Sequence, residues 1–200
     1  KHDKTIIPIL ALFDGHHVRI SVMLKSSKEL ASMIHSNIGW RIRCEDIPYK
    51  FKNHPNESEL NRASGPMWIG PLWNKEITER MTEQRVLDLC YPNEEEYLSA
   101  KDCGLDWDEN DLEYAKRELI RSVKHISSAS EIMSREHLLI NLDSLPKWSK
   151  TSGAPKMDKL IEAIKESGFY AARVPDLEPV FATDVAFDKL IKIVQALKKD

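Results

Sequence analysis

Hydrophobic and polar positions change period several times along this chain of 200 residues, and each change predicts an element. An apolar run from Ile6 to Phe13 leads into Asp14-Gly15, a turn pair, and then into alternation from Val18 to Leu24. That pattern predicts a β-hairpin. Val18, Ile20, Val22 and Leu24 share one face, and Arg19 and Ser21 share the other with Met23. After Ser26-Ser27, which suits a helix start, Leu30, Met33, Ile34 and Ile38 recur at helical spacing, and Gly39 is placed to end the helix. Trp40 to Cys44 alternates again, with Trp40, Ile42 and Cys44 inward and Arg41 and Arg43 outward. Strand, strand, helix, strand predicts one small α/β sheet whose open face presents Arg19, Arg41 and Arg43.

Pro48 to Ser64 is polar and predicts a mobile loop. The next stretch, Gly65-Pro66-Met67-Trp68-Ile69-Gly70-Pro71-Leu72-Trp73-Asn74-Lys75-Glu76, is the most informative in the chain. Proline removes a backbone donor and fixes φ, while glycine supplies the dihedrals of tight turns. A plain helix or strand is excluded, and Trp68 and Trp73 are aimed by turns from a rigid connector. That connector either is buried structure or docks a neighbouring domain or nucleic acid.

From Lys75 to about Leu89 the pattern is helical, and Glu94-Glu95-Glu96 opens a short helix where acidic side chains suit the dipole. Asp106-Trp107-Asp108 is an acidic turn before a long helix with Leu112, Ala115, Leu119, Val123 and Ile126 on one stripe. Its other face carries Lys116, Arg117, Arg121, Lys124 and His125. Ile132 to Leu145 is a mixed apolar stretch ahead of Pro146. A helix with Leu160, Ile161 and Ile164 follows, then Gly168, extended Phe169 to Val174, a proline-bounded loop and extended Val180 to Thr183. Phe187, Leu190, Ile191, Val194 and Leu197 mark a last helix. Helix, glycine, strand, loop, strand is the plan of a winged-helix module.

Composition narrows the function classes. No apolar run reaches the length of a membrane span, and the start carries no signal-peptide pattern. Cys44, Cys90 and Cys103 form no C-x-x-C pair, so a reducing, cytoplasmic setting is expected rather than a disulfide or zinc framework. A first residue of lysine rather than methionine is what a fragment of a longer protein would show. The net charge of −3 is unevenly spread. Residues 1–62 carry ten Lys/Arg against seven Asp/Glu, 63–143 nine against seventeen, and 144–200 ten against eight. Mildly basic ends flank an acidic middle, and local patches decide whether phosphate can be held.

Signatures of independent catalysis are missing from the sequence. Its seven glycines are scattered singly, without G-x-G-x-x-G or a P-loop. Neither a G-x-S-x-G elbow nor H-E-x-x-H occurs. His16-His17 lacks ligand partners at metal-site spacing, so no metal is expected.

The connector and the tail together resemble one family, the tRNA guanine-N2 dimethyltransferases that act at tRNA position 26. Gly65 to Lys75 is similar to that family's Gly-Pro-Trp repeat in its C-terminal half. Ile6-Ile7-Pro8-Ile9-Leu10 with His17-Val18-Arg19-Ile20-Ser21-Val22 resembles the segment opening that half. Leu160 to Phe169, Ala172-Arg173 and Thr183-Asp184 resemble its closing motif. The likeness runs from about residue 5 to 195, with its anchors in order. Where the closing motif has hydroxyl, imidazole, aromatic, glycine and lysine groups, this chain has Val174, Pro175, Asp176, Val180 and Ala182. The resemblance implies that S-adenosylmethionine and the catalytic motif belong to a Rossmann-like N-terminal domain upstream, leaving this chain inactive alone. It implies a half that positions tRNA and packs against the methyltransferase domain.

The expected fold class is α+β: a small mixed sheet-and-helix lobe at 1–62, the Gly-Pro-Trp connector with an acidic helical region at 63–143, and a winged-helix-like C-terminal module at 144–200. Arg19, Arg41, Arg43, Lys156 and Arg173 are expected to contact RNA phosphates, with Lys147, Lys150 and Thr183 as further RNA-binding candidates. Trp68 and Trp73 are expected at an interdomain contact or at the lip of the guanosine site. Two rivals stay open: a winged-helix DNA-binding regulator, and a protein-interaction domain that ignores RNA.

Overall fold

The structure is a computed structural model that describes residues 3–13 and 16–198. The expected turn at Asp14-Gly15 lies outside the described residues. Strands β1 (Lys4–Phe13) and β2 (Val18–Ser26) pair antiparallel, with a register shift between Pro8 and Leu10. Ser27 caps helix α1 (Lys28–Met33) by accepting from the Leu30 amide, as the sequence predicts. Strand β3 (Ile38–Arg43) follows, then β4 (Tyr49–Lys52), α2 (Glu57–Leu60) and β5 (Ala63–Trp68).

Here the single predicted lobe sheet is corrected. β1 and β2 form a separate two-stranded ribbon, whereas β3 is the centre of a three-stranded sheet ordered β4-β3-β5. Pro48 to Ser64, read as a loop, supplies an edge strand and a capped helical turn. Its aromatic–lysine alternation, Tyr49-Lys50-Phe51-Lys52, is strand chemistry that its flanking asparagines and proline mask. Gly39 does not end a helix; it lies buried in β3. A Cβ there would meet the Lys52 carbonyl oxygen at 2.6 Å, so only glycine admits the neighbouring strand that closely.

The middle is a series of capped helices: α3 (Lys75–Thr78), α4 (Glu83–Cys90), α5 (Glu94–Asp102) and α6 (Glu109–Met133). The helix predicted from Lys75 to Leu89 is broken, because Thr82 turns the chain and caps α4. Much of the acidic charge has a local use. Glu96 with Asn93, and Asp111 with Asp108, form reciprocal capping boxes at the starts of α5 and α6. Helix α6 runs through Met133, so Ile132 and Met133 are its buried last turn rather than the start of a separate stretch.

Strand β6 (Leu138–Asn141), α7 (Leu145–Ser149), α8 (Met157–Glu166), β7 (Ala171–Arg173), β8 (Val180–Thr183) and α9 (Phe187–Leu197) complete the chain. Gly168, at φ +83°, takes the left-handed position that lets the chain leave α8 toward β7. The sheet order is β6-β8-β7. One face turns Ile140, Ala171 and Phe181 toward Leu160, Ile164, Leu190 and Val194 of α8 and α9. The other turns Ala172 and Ala182 toward Ala129, Ile132 and Met133 of α6, where the three alanines let helix and sheet approach. The boundaries expected at 62/63 and 143/144 both fall inside sheets, since β5 pairs with β3 and β6 pairs with β8.

Candidate nucleic-acid interface

On β3 and β4 the pairing sets Arg41 opposite Phe51 and Arg43 opposite Tyr49. Directly opposed residues point the same way, so these four side chains share one face. Lys50 and Lys52 take the reverse face, where each ammonium lies 2.8 Å from buried Glu59. Hydrogen bonds from Lys50, then Lys52, then the Asn56 backbone hold the Glu59 carboxyl down to about 2. The two lysines are thus committed to structure, and the two arginines are left exposed.

Tyr49 anchors the face. Its hydroxyl accepts from the Leu139 amide at 2.7 Å and donates to the Leu139 carbonyl at 3.2 Å, tying β4 to β6. Burial pushes its phenol up, so it stays a neutral double partner. The Arg41 guanidinium lies 4.4 Å from the Tyr49 ring centroid, and Phe51 meets that ring edge-on at 5.3 Å. An arginine stacked over one ring beside a second, 41 % exposed ring is a surface that phosphates and unpaired bases both suit.

This face opens into a cleft of about 390 Å³ between the three-stranded sheet, the connector and the turn from α6 to β6. Trp68 forms part of its wall. The Trp68 indole donates to the Pro71 carbonyl at 3.2 Å, which folds the connector back on itself. The Ile69 amide donates to the Asn37 carbonyl at 2.8 Å and fastens the connector to the segment before β3. A Cβ on Gly70 would crowd the Asn37 side chain, which would have to move aside. Across the cleft, His137 holds the Arg135 carbonyl through Nδ1 at 2.7 Å. Burial moves its imidazole below the ordinary value against that hydrogen bond, which favours the neutral ring. Arg135 is engaged by Glu131 and Asp184 and lies over the Tyr170 ring.

The expected site residues separate into groups. Arg41 and Arg43 come together on the sheet face, but Arg19 sits on β2 of the ribbon, so the predicted trio does not share one platform. Lys147, Lys150 and Lys156 are exposed between α7 and the start of α8, with Lys147 beside the Trp148 ring and Lys150 at a left-handed φ of 56°. Arg173 is held by Asp158 at 2.9 Å and Glu178 at 3.1 Å, so two carboxylates already offset its charge. Thr183 is corrected: it is fully buried, its hydroxyl donating to the Tyr170 carbonyl and accepting from the Val185 amide, with no surface left for RNA. Trp73 is 3 % exposed and donates to the Ala11 carbonyl at 3.0 Å, joining the ribbon to the α6 cluster within this chain. Phe51, Tyr49, Asn37 and His137 were missed by sequence reasoning. The alternation of β4 was the available signal for the first two, and nothing local marks the others.

Among the described residues no group of three or more His, Cys, Asp or Glu side chains is arranged to hold a metal, and no described helix is long and apolar enough to cross a membrane. One further surface stands out. The ribbon register sets Ile6, Pro8, Ala11 and Phe13 beside Leu24, Val22, Ile20 and Val18 on a single apolar face. Val18, Ile20 and Leu24 are 67 %, 57 % and 71 % exposed.

Residues 1–100 match the family model described as N2,N2-dimethylguanosine tRNA methyltransferase. Among curated relatives, the tRNA (guanine(26)-N(2))-dimethyltransferase of Pyrobaculum calidifontis is 21 % identical over 195 residues, 96 % of this chain and 42 % of that protein. The protein of the same name from Methanosarcina acetivorans is 21 % identical over 207 residues, 98 % of this chain and 46 % of its own length. Of solved structures, Trm1 from Pyrococcus horikoshii in complex with S-adenosyl-L-methionine shares the fold, with a TM-score of 0.67 at 18 % identity, covering 96 % of this chain and 44 % of that one. The chain therefore spans less than half the length of the relatives it matches.

Proposed function

Because this chain belongs to the N2,N2-dimethylguanosine tRNA methyltransferase family, we propose that it is the C-terminal half that holds tRNA while an N-terminal half transfers methyl groups from S-adenosylmethionine to a guanine N2. The observation that carries this reading is the Arg41, Arg43, Tyr49 and Phe51 face, where guanidinium groups and aromatic rings stand together on an open sheet. Folded RNA is recognised through phosphates, shape and splayed bases, and such a face serves all three. Lys147, Lys150 and Lys156 would add phosphate contacts from the winged-helix-like module, and Arg19 from the ribbon. Arg173 contributes less, because its charge is offset.

The same reading assigns the apolar ribbon face. Relatives more than twice as long carry a further half, and a contiguous exposed apolar face is what a folded neighbour covers. We assign that face to packing against the methyltransferase domain, with Trp68 close to the junction and Trp73 bracing it from inside.

The experiment is tRNA binding by the full-length protein as a function of salt. Each phosphate contact removed should lower the salt slope by about one. Arg41→Gln and Arg43→Gln are expected to weaken tRNA binding with that signature, and tRNA should outcompete duplex DNA. Preference for duplex DNA would favour a winged-helix regulator. Absence of tRNA binding at low salt in the full-length protein would favour a protein-interaction domain.

A further inference from the structure

The cleft beside the arginine–aromatic face has features that phosphate contact alone does not use. Phe51 and Trp68 line it, and two of its polar groups are set to accept. The Asn53 amide nitrogen already donates to the Ser36 carbonyl at 2.8 Å and the Ile38 carbonyl at 2.9 Å, which leaves its Oδ1 to accept. His137 commits Nδ1 to the Arg135 carbonyl, so its N–H is on that side and Nε2 is the accepting nitrogen. Asn37, half-buried at the inner edge, makes no side-chain hydrogen bond to a described residue, and Gly70 is kept small against it. A cleft of about 390 Å³ lies within the range of small-ligand sites.

We propose that this cleft receives one unpaired nucleobase bearing an exocyclic amino group, stacked on Phe51 and read at its edge by Asn37, Asn53 and His137. Ring surface supplies sequence-tolerant stacking, while acceptors at the edge favour adenine, cytosine or guanine over uracil, which has no exocyclic amino group to donate. Arg41, stacked on Tyr49 beside Phe51, would hold the attached phosphate. The inference rests on the tRNA-holding reading and adds to it a base-specific subsite within this half of the protein.

The test uses the full-length protein and tRNA, with dissociation constants measured across a salt series. Phe51→Ala should weaken binding about tenfold at every salt concentration with the slope unchanged, since stacking releases no counterions. Phe51→Trp should restore affinity, which separates stacking from a folding defect. Asn37→Ala should weaken competition by short oligo(rA) and oligo(rC) and leave weak oligo(rU) competition as it is. A Phe51→Ala constant within twofold of wild type, a reduced salt slope in that variant, or oligo(rU) competing as well as oligo(rA) would overturn the subsite while leaving the tRNA-holding role intact. A wild-type protein that binds no tRNA would overturn both.

Discussion

The N-terminal ribbon and the C-terminal module carry apolar patterns of similar strength, yet they bury them to opposite extents. In the module, Leu160, Ile164, Phe181, Leu190 and Val194 are completely inaccessible, closed between α8, α9 and their sheet. In the ribbon, every residue of β2 is exposed, including alternating Val18, Ile20, Val22 and Leu24. Periodicity states which residues share a face and leaves open what covers it. The module finds its cover within the chain because helices follow and precede its strands at short range. The ribbon has helical cover on one side only, where Leu10 and Leu12 meet the Trp73 and α6 cluster.

The largest expected effect breaks the comparison at its buried end. Phe181→Ala removes a fully buried ring from the centre of the module and should cost about 3–5 kcal/mol. Urea unfolding monitored by far-UV circular dichroism measures it. A loss below about 1 kcal/mol would mean that this core is far looser than its burial indicates. Gly70→Ala sits between the two regions. Its methyl group must displace the Asn37 side chain, with an expected cost of about 1–3 kcal/mol and a remodelled cleft, read by the same unfolding experiment.

How much of this was legible follows from range. The pairing of β1 with β2, the Ser27 cap, the body of α6, and the α8–Gly168–β7–loop–β8 order all depend on neighbours in sequence, and local pattern carries them; the shift between Pro8 and Leu10 and the last turn of α6 it does not. The split into separate sheets depends on β3 choosing β4 and β5 over the ribbon, which alternation cannot specify. The site was half legible. Arg41 and Arg43 were expected, but their partners Tyr49 and Phe51 lay in a segment whose Asn and Pro content imitated a loop. His137 reaches the cleft only through the end of a 25-residue helix, and no spacing records that. Thr183 was misjudged for a related reason: strand alternation does not show that both faces of β8 are covered.

A smaller effect concerns the reverse side of the arginine–aromatic sheet. Glu59, gripped by Lys50 and Lys52, has its carboxyl lowered to about 2. A depressed carboxylate adds stability that is present above its ordinary value and is lost as pH falls through about 2. Glu59→Gln should therefore lower the thermal midpoint by a few degrees at neutral pH. The difference from wild type should shrink on acidification toward pH 2. A difference independent of pH would assign the effect to packing of α2 instead of charge.

The smallest expected effect is the sharpest test of the contrast. Ile20→Thr replaces an apolar group that is 57 % exposed with a β-branched polar one that keeps strand propensity. The stability of this 200-residue chain should stay within about 0.5 kcal/mol of wild type, since no described neighbour loses a buried partner. Association with the separately produced N-terminal half should weaken measurably by calorimetry, because that is where the ribbon face is assigned to be covered. The two measurements answer different questions. A large stability loss in this chain would mean that the ribbon is already closed by its own residues. An unchanged association would move the docking surface elsewhere.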